Sequence, residues 1–475
     1  MKKTETDDQT SISWKRNLLV IWFAELIAVA GFTIVIPLLP LYVRDLGVQG
    51  ERDVRIWAGI IFSAHAVTMA IFGPIWGALG DRYGRKMMVQ RAMFGGAVVI
   101  GLMGLAQSVQ QLALLRAVQG ALTGTVTAAN ALVATTAPRE RSGYALGALQ
   151  MAIYTGASVG PLIGGVVTDT WGFRATFGIT SALLFLAALG VMFFAREAFE
   201  PVKTTGKAKT STQTKSWFQR AWRYLSPVLN SSSLLAVMGI HLLMRLGVRL
   251  LGPVLPLFIE SISAPDARVA STVGMISGVN AAAAALGALG LGRLGDRVGY
   301  RSILIGSAVA SLLCYAPQAF VNSPMGLIPL QAGAGIAMGG CLAALNAMLA
   351  QLSPEGQEGI VYGLDASVVS IANAIGPMTG SLFAAWISLR APFLIASGVF
   401  GAASVITARL MHHRPSGRMD DAHKHEGQEH SDEPAGIEYD ESPGSGPEGG
   451  VTWGQREKQP DLSHCSNSLL EEDDD

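Results

Sequence analysis

The sequence predicts an all-α integral membrane protein with twelve transmembrane helices in two pseudo-symmetric six-helix bundles. Three observations predict it. Half of the 475 residues are apolar and only 15% are charged, against about 25% charged in a soluble domain. Twelve runs suit the roughly 20 apolar residues that a helix needs to cross a bilayer. A charged, glycine-rich turn, Gly77 to Lys86, returns about 215 residues later as Gly292 to Arg301, each copy between two apolar runs. A turn duplicated in this way marks two similar helical bundles joined head to tail.

In chain order, residues 1–16 form a polar lead-in. Spans 1 to 6 are expected at 17–42, 56–79, 87–107, 110–135, 144–168 and 173–194, an N-terminal bundle over 17–194. The first span is too long, and has too many successors, for a cleaved signal peptide. A basic linker follows over 195–232, carrying Lys203, Lys207, Lys209, Lys215, Arg220 and Arg223. Spans 7 to 12 are expected at 233–260, 269–292, 301–321, 325–350, 360–386 and 390–411, a C-terminal bundle over 233–411. The 55 glycines suit close helix packing in lipid. Residues 412–475 read as a disordered, acidic, histidine-containing tail, poor in large apolar residues.

The net charge of zero conceals an asymmetry. Residues 411–475 hold 5 basic against 17 acidic residues, and the rest of the chain 30 against 18. Outside the tail, Lys and Arg favour one set of loops, including Arg82, Arg85, Lys86, Arg139, Arg141, the linker, Arg293, Arg297 and Arg301. The positive-inside rule then places both termini in the cytoplasm, with the chain multi-pass in the cell membrane. Cys314, Cys341 and Cys465 suggest no disulfide framework.

The repeat reaches well beyond the turn. Shifted by 216, Pro37 and Pro40 fall on Pro253 and Pro256, Asn130 on Asn346, Pro138 on Pro354, Gly147 on Gly363, and Gly160-Pro161 on Gly376-Pro377. Parallel repeats about an axis along the membrane normal are a transporter design.

These residues bring the chain to a family. Over essentially all of residues 17–411 it resembles the major facilitator superfamily, and within it the twelve-span drug:proton antiporters. Gly77, Asp81, Arg82, Gly84, Arg85 and Lys86 match the family's loop 2–3 motif; Arg116, Gln119 and Gly120 match its span 4 motif. Gly156, Gly160, Pro161, Gly164 and Gly165 match the span 5 motif associated with antiporters. The second half departs from the pattern where Gln331 stands in the place of the span 4 arginine.

The motifs also read as chemistry. Gly77 and Gly84 allow close approach and positive φ. Asp81, just past span 2, can pair with a base or cap a neighbouring helix. With Arg82, Arg85, Lys86, Asp296 and Arg297 it reads as a topology signal, and the resemblance implies a conformational latch in addition. The small residues of span 5 recur every four positions and make a smooth stripe for a tight helix crossing that seals one end of the molecule, while Pro161 removes a backbone donor.

Ionisable groups inside the spans point to mechanism, because charge in lipid is costly. They are Glu25, His65, Arg116, His241, Arg245, Arg249 and Asp365. Glu25 lies about 12 Å into span 1, where desolvation penalises the charged form; it can carry a proton or be a neutral acid bonded to a neighbouring helix. The 216 shift places His241 on Glu25, so the two are expected to face a central cavity. His241, Arg245 and Arg249 share one face of span 7, and Asp365 can pair with His241 or with Arg245; a static ion network is the plain alternative. Two arginines on a cavity face equally suit an anionic substrate. The resemblance implies a part for Arg116 in proton transfer; a snorkelling arginine is the alternative. His65 can titrate or simply pack. Asn130, Gln150, Tyr154, Asn346 and Asn373 are substrate-cavity candidates or interhelical glue. The six tail histidines could hold a transition metal weakly, but a solvated tail is the plainer reading, and no metal site is expected.

The resulting expectation is a secondary transporter, not an enzyme, exporting small amphipathic, drug-like compounds in exchange for protons by alternating access. Glu25, Arg116, His241 and Asp365 would couple protons; Glu25, Asn130, Gln150, Tyr154, His241, Arg245, Arg249 and Asn346 would line the cavity. Its partners would be the small-molecule substrate, protons and the lipid bilayer, with no nucleic acid and no cofactor, and it would work as a monomer. An importer or facilitator of a sugar or organic anion, and a transporter-derived sensor, are the alternatives.

Overall fold

A computed structural model of the chain describes residues 5–138, 141–197, 231–354 and 358–410, with the side chains of 5–13, Asp81, 358–359 and Leu410 left out. Most of the expected linker, and the tail with its histidines, lie outside the described residues. All described residues belong to one compact unit, Met1–Arg414.

Among the described residues every regular element is helical. Span 1 runs Glu5–Val35, tightens into a 3₁₀ turn at Ile36–Leu38 and continues as Leu39–Asp45. Pro37 and Pro40 withhold the N–H donors that a continuous ladder would need. The helix already begins at Glu5, within the expected polar lead-in. Span 7 repeats the design as Ser232–Leu251 and Val254–Ser261, interrupted before Pro253. Spans 2 and 3 are Glu51–Tyr83 and Arg85–Gly104. Span 4 is broken into Val109–Leu122 and Thr125–Thr136 at Gly124, whose φ is 130°. Spans 5 and 6 form Ser142–Phe194, divided at Gly172 with φ 81°. Spans 8 to 12 are Val269–Val298, Tyr300–Gln318, Pro324–Leu352, Glu358–Trp386 and Ala391–Leu410.

Among the described residues, ten helical stretches are long and apolar enough to cross a membrane. One of them, Ser142–Phe194, is two spans, and the more polar Tyr300–Gln318 supplies the twelfth crossing between spans 8 and 10.

Glycines set the packing. A Cβ on Gly156, Gly160 or Gly164 would strike span 1 at Leu26, Ala30 or Ile34, and one on Gly376 or Gly380 would strike span 7 at Arg249 or Leu250. Gly120 faces the carbonyl of His65, and Gly335 that of Asn280. The 215–216 repeat is therefore a repeat of helix crossings, each made close by a missing side chain. The antiporter-motif stripe thus seats span 5 on span 1. Closure falls to its last glycine, Gly165, whose Cβ would strike Ala270 and Ser271 of span 8.

The two halves meet where span 2 packs on span 11 and span 5 on span 8. Both contacts are made toward the end far from the chain termini. There Gly274 faces the Pro161 carbonyl and Gly59 faces Ser381. Asp169, at the end of span 5, accepts the backbone N–H groups of Ala270 (3.3 Å) and Ser271 (2.7 Å) at the start of span 8. Arg55 donates to the Ala384 carbonyl (3.0 Å), Arg44 lies 3.4 Å from Glu260, and Arg52 sits over the Trp386 ring. Toward the termini the same spans part: a Cβ on Gly73, Gly77, Gly143, Gly147, Gly290 or Gly363 would meet nothing within 4 Å. The molecule is closed at the far end and open at the terminus end.

Candidate transport site

Span 7 carries the densest polar cluster, because His241, Arg245 and Arg249 lie one turn apart on one face. His241 Nδ1 is 2.7 Å from Asp365 Oδ1 of span 11, and both residues are buried. Arg245 Nε donates to His241 Nε2 at 3.2 Å. Of the two partners open to Asp365 from the sequence, the direct one is His241, with Arg245 reached through the ring. Arg249 Nε donates to Asn373 Oδ1 at 2.6 Å, and its Cβ packs against Gly376. Tyr154, half-buried on span 5, is an electrostatic neighbour of Arg245. His65 of span 2 neighbours both Arg116 and Arg249.

Glu25 is fully buried, and neither carboxylate oxygen has a hydrogen-bond partner; Thr125 of span 4 lies beside it. Glu25 and His241 therefore do not line open space in this conformation, against the sequence expectation, because the helices around spans 1 and 7 close over them. Gln150, Asn130 and Tyr154 are half-buried, and Asn346 is exposed.

Arg116 is buried, donates to Gln119, sits 5.9 Å from the Phe62 ring centroid, and leaves its Nε without a partner. No hydrogen bond joins it to Glu25. In the other half, Gln331 replaces the cation with a neutral ladder: Asn280 donates to it at 2.9 Å, and it donates to Gln318 at 3.0 Å. The amides are satisfied without burying charge.

At the loop motif, Gly84 and its counterpart Gly299 have φ of 97° and 87°, as a sharp turn between antiparallel spans requires. Gly77 makes no close approach. Arg82 stacks on Tyr83, Asp296 accepts from Tyr300 of its own turn, and Arg297 is exposed. Of Asp81 only the backbone is described. The described contacts of the expected latch residues thus stay within their own half.

The cap that sequence reasoning missed here is Glu197. Its two oxygens accept the N–H groups of Arg85 (2.9 Å) and Lys86 (2.8 Å), while Lys86 Nζ donates to the carbonyls of Met192 and Ala195. A carboxylate at a helix N-terminus satisfies orphan donors and complements the dipole. Glu197→Ala should lower the denaturation midpoint, with a loss of about 1 kcal/mol, leaving substrate affinity unchanged; a ligand-binding titration alongside a thermal melt checks both.

The Major Facilitator Superfamily profile matches residues 21–240 and 237–460. The chain belongs to the major facilitator superfamily. Among its relatives is "Multidrug resistance protein MdtG" of Klebsiella pneumoniae (strain 342), 36% identical over 416 residues, 88% of this chain and 98% of the relative. The protein of that name from Escherichia coli (strain K12 / DH10B) is 37% identical over 393 residues, 83% and 94% of the two chains. Among solved structures, the nucleoside transporter NupG superposes with TM-score 0.67 at 13% identity, covering 84% of this chain and 99% of that one. A bacterial homologue of human Spinster, solved inward-facing and unoccupied, gives 0.64 at 16% identity over 83% and 95%. These two likenesses show the superfamily fold. The chain is thus a multi-pass membrane protein of this family.

Two hollows lie apart from the polar cluster: an apolar one of about 240 Å³ between spans 1 and 6, and one of about 390 Å³ beside Arg55 and Arg390 at the far end.

Proposed function

We propose that the chain exports small amphipathic, drug-like compounds across the cell membrane in exchange for protons, by alternating access around the span 7–span 11 cluster and Glu25. The reading is supported by the names of the 36–37% identical relatives and by a molecule closed at one end and open at the other. With both termini in the cytoplasm, as the basic loops imply, this conformation faces inward. Rocking spans 1–6 against spans 7–12 would expose the same groups outward. We read the chain as a carrier rather than a catalyst, working as a monomer.

The observation that carries proton coupling is Glu25. An ionised carboxylate sealed from water, with the Thr125 hydroxyl as the nearby donor, is unfavourable by several kcal/mol, so we read this conformation as holding Glu25 with its proton on. The outward swing, by admitting water, frees the group to exchange protons with the other side. The loop motif would form its cross-half contacts in that outward state, when the terminus end closes and Gly77 gains a neighbour. Ethidium movement in proteoliposomes under an imposed pH gradient tests the reading: accumulation should follow the gradient and vanish with an uncoupler.

Arg245 and Arg249 favour a second reading. Facing them, Asp365 is, among the described residues, the acid with a direct bond into the cluster, and arginine pairs suit anionic groups. An organic anion would then move, with protons, on the same fold. Arg249→Gln should raise the KM for naphthalene-2-sulfonate about tenfold or more, the loss of a charge-assisted hydrogen bond of about 1.5–3 kcal/mol, and leave ethidium unaffected. Equal effects on both probes would remove this reading.

A further inference from the structure

The bond from Arg245 fixes a protonation pattern. A guanidinium nitrogen only donates, so His241 Nε2 must be the acceptor at 3.2 Å. The single proton of a neutral ring then sits on Nδ1, which donates to Asp365 Oδ1 at 2.7 Å. The arrangement therefore specifies an anionic Asp365, a neutral His241 in its Nδ1–H tautomer and a cationic Arg245. A second proton on the ring has one place to go, Nε2. There it turns the acceptor into a donor and sets an imidazolium against a guanidinium, and the Arg245 bond cannot persist.

We propose that His241 is a proton-operated catch for Arg245: protonation at Nε2 releases the guanidinium from the face of span 7 into the cleft, toward Tyr154 of span 5. This rests on, and deepens, the transport reading above. The surroundings leave Arg245 few other holds. Span 11 offers Asn373, bonded to Arg249, and Asp365, one of whose oxygens is bonded to the ring while its charge attracts Arg245. Span 2 brings His65 toward Arg249, with Arg116 of span 4 behind it. Span 10 contributes Cys341 against Met244, and span 12 Phe400 against Gly247, neither an acceptor of consequence. Proton uptake thereby moves a positive charge from a bond inside the C-terminal half into the space that the substrate shares with the N-terminal half. A cationic substrate is expelled by it and an anionic one is held, so the sign of the pH effect on affinity follows the charge of the substrate. His241 acts here as a positioning residue for Arg245.

Nitrogen-15 NMR of histidine-labelled protein in nanodiscs tests the catch, with His241→Gln used to assign the signal. The expected neutral state has the proton on Nδ1, with Nε2 protonating as pH is lowered. A neutral ring carrying its proton on Nε2 overturns the proposal. Ethidium affinity measured on the same nanodiscs should fall several-fold as pH is lowered. In His241→Gln, whose Oε1 still accepts from Arg245 but takes no proton, the fall should shrink to the part that Glu25 contributes, and in the Glu25→Gln/His241→Gln double variant the profile should be flat; retention of the full wild-type profile in His241→Gln also overturns the proposal. If the tautomer is as stated but no pH gradient drives any probe in proteoliposomes, the transport reading fails and the catch stands.

Discussion

Gly274→Val should abolish transport by excluding the inward-open conformation. A Cβ at this position strikes the Pro161 carbonyl and crowds the Cα of Gly165, so the obstacle is backbone on both sides. Overpacking costs about 1–3 kcal/mol where neighbours can shift. Here relief requires spans 5 and 8 to separate, which is far-end opening itself. A cost of about 3 kcal/mol moves a two-state equilibrium roughly 100-fold. Single cysteines at Tyr144 and Ser271, in a background lacking Cys314, Cys341 and Cys465, would report it through an impermeant maleimide. Labelling at 144 should fall and labelling at 271 should rise. Asp169→Asn should act in the same direction but more weakly, by about fivefold, since a neutral amide is a poorer partner for a helix N-terminus. Unchanged labelling in Gly274→Val would show that these glycines do not hold the closed end.

Glu25→Gln should eliminate pH-driven ethidium accumulation, a loss of two orders of magnitude or more, while exchange of ethidium down its own gradient continues. The reason is the burial of the carboxyl: with only the Thr125 hydroxyl beside it, a neutral amide of the same shape fits the inward-open packing, but it can neither gain nor lose a proton. Folding should accordingly be undiminished, as a thermal melt would show. Glu25→Asp should restore part of the coupled flux. A Gln variant that pumps as well as the parent would remove Glu25 from the coupling path.

Much of this architecture is readable from the chain. The length of a bilayer-spanning helix and the ban on unsatisfied backbone groups in lipid leave few alternatives for runs such as 233–260. Prolines 37, 40, 253 and 256 mark the breaks in spans 1 and 7, and the 216-residue register foretells that Gly160 and Gly376 make matching crossings. Roles at the site were less legible. His241 and Arg245 share a face, so both were available to Asp365, and spacing along one helix cannot rank them. Asp169 and Glu197 went unnoticed because each caps a helix that begins about 100 residues away in sequence. A faint hint for Asp169 exists: span 8 starts at Val269 behind Arg268, an N-cap residue with no side-chain cap bond.

What the amino-acid sequence determined by itself is local and periodic: twelve apolar lengths, their pairing by an internal repeat, and the membership of a short set of titratable groups that lipid would not tolerate without purpose. What only the tertiary structure decided is which of those groups meet, which are sealed, and which end of the molecule is open. The physical reason is that hydropathy and glycine spacing act within one helix, whereas a hydrogen bond between spans 7 and 11, or a steric contact between spans 5 and 8, depends on the rotation and tilt of two helices relative to each other. Those are set by the sum of many contacts across the whole bundle, and by the conformation it occupies.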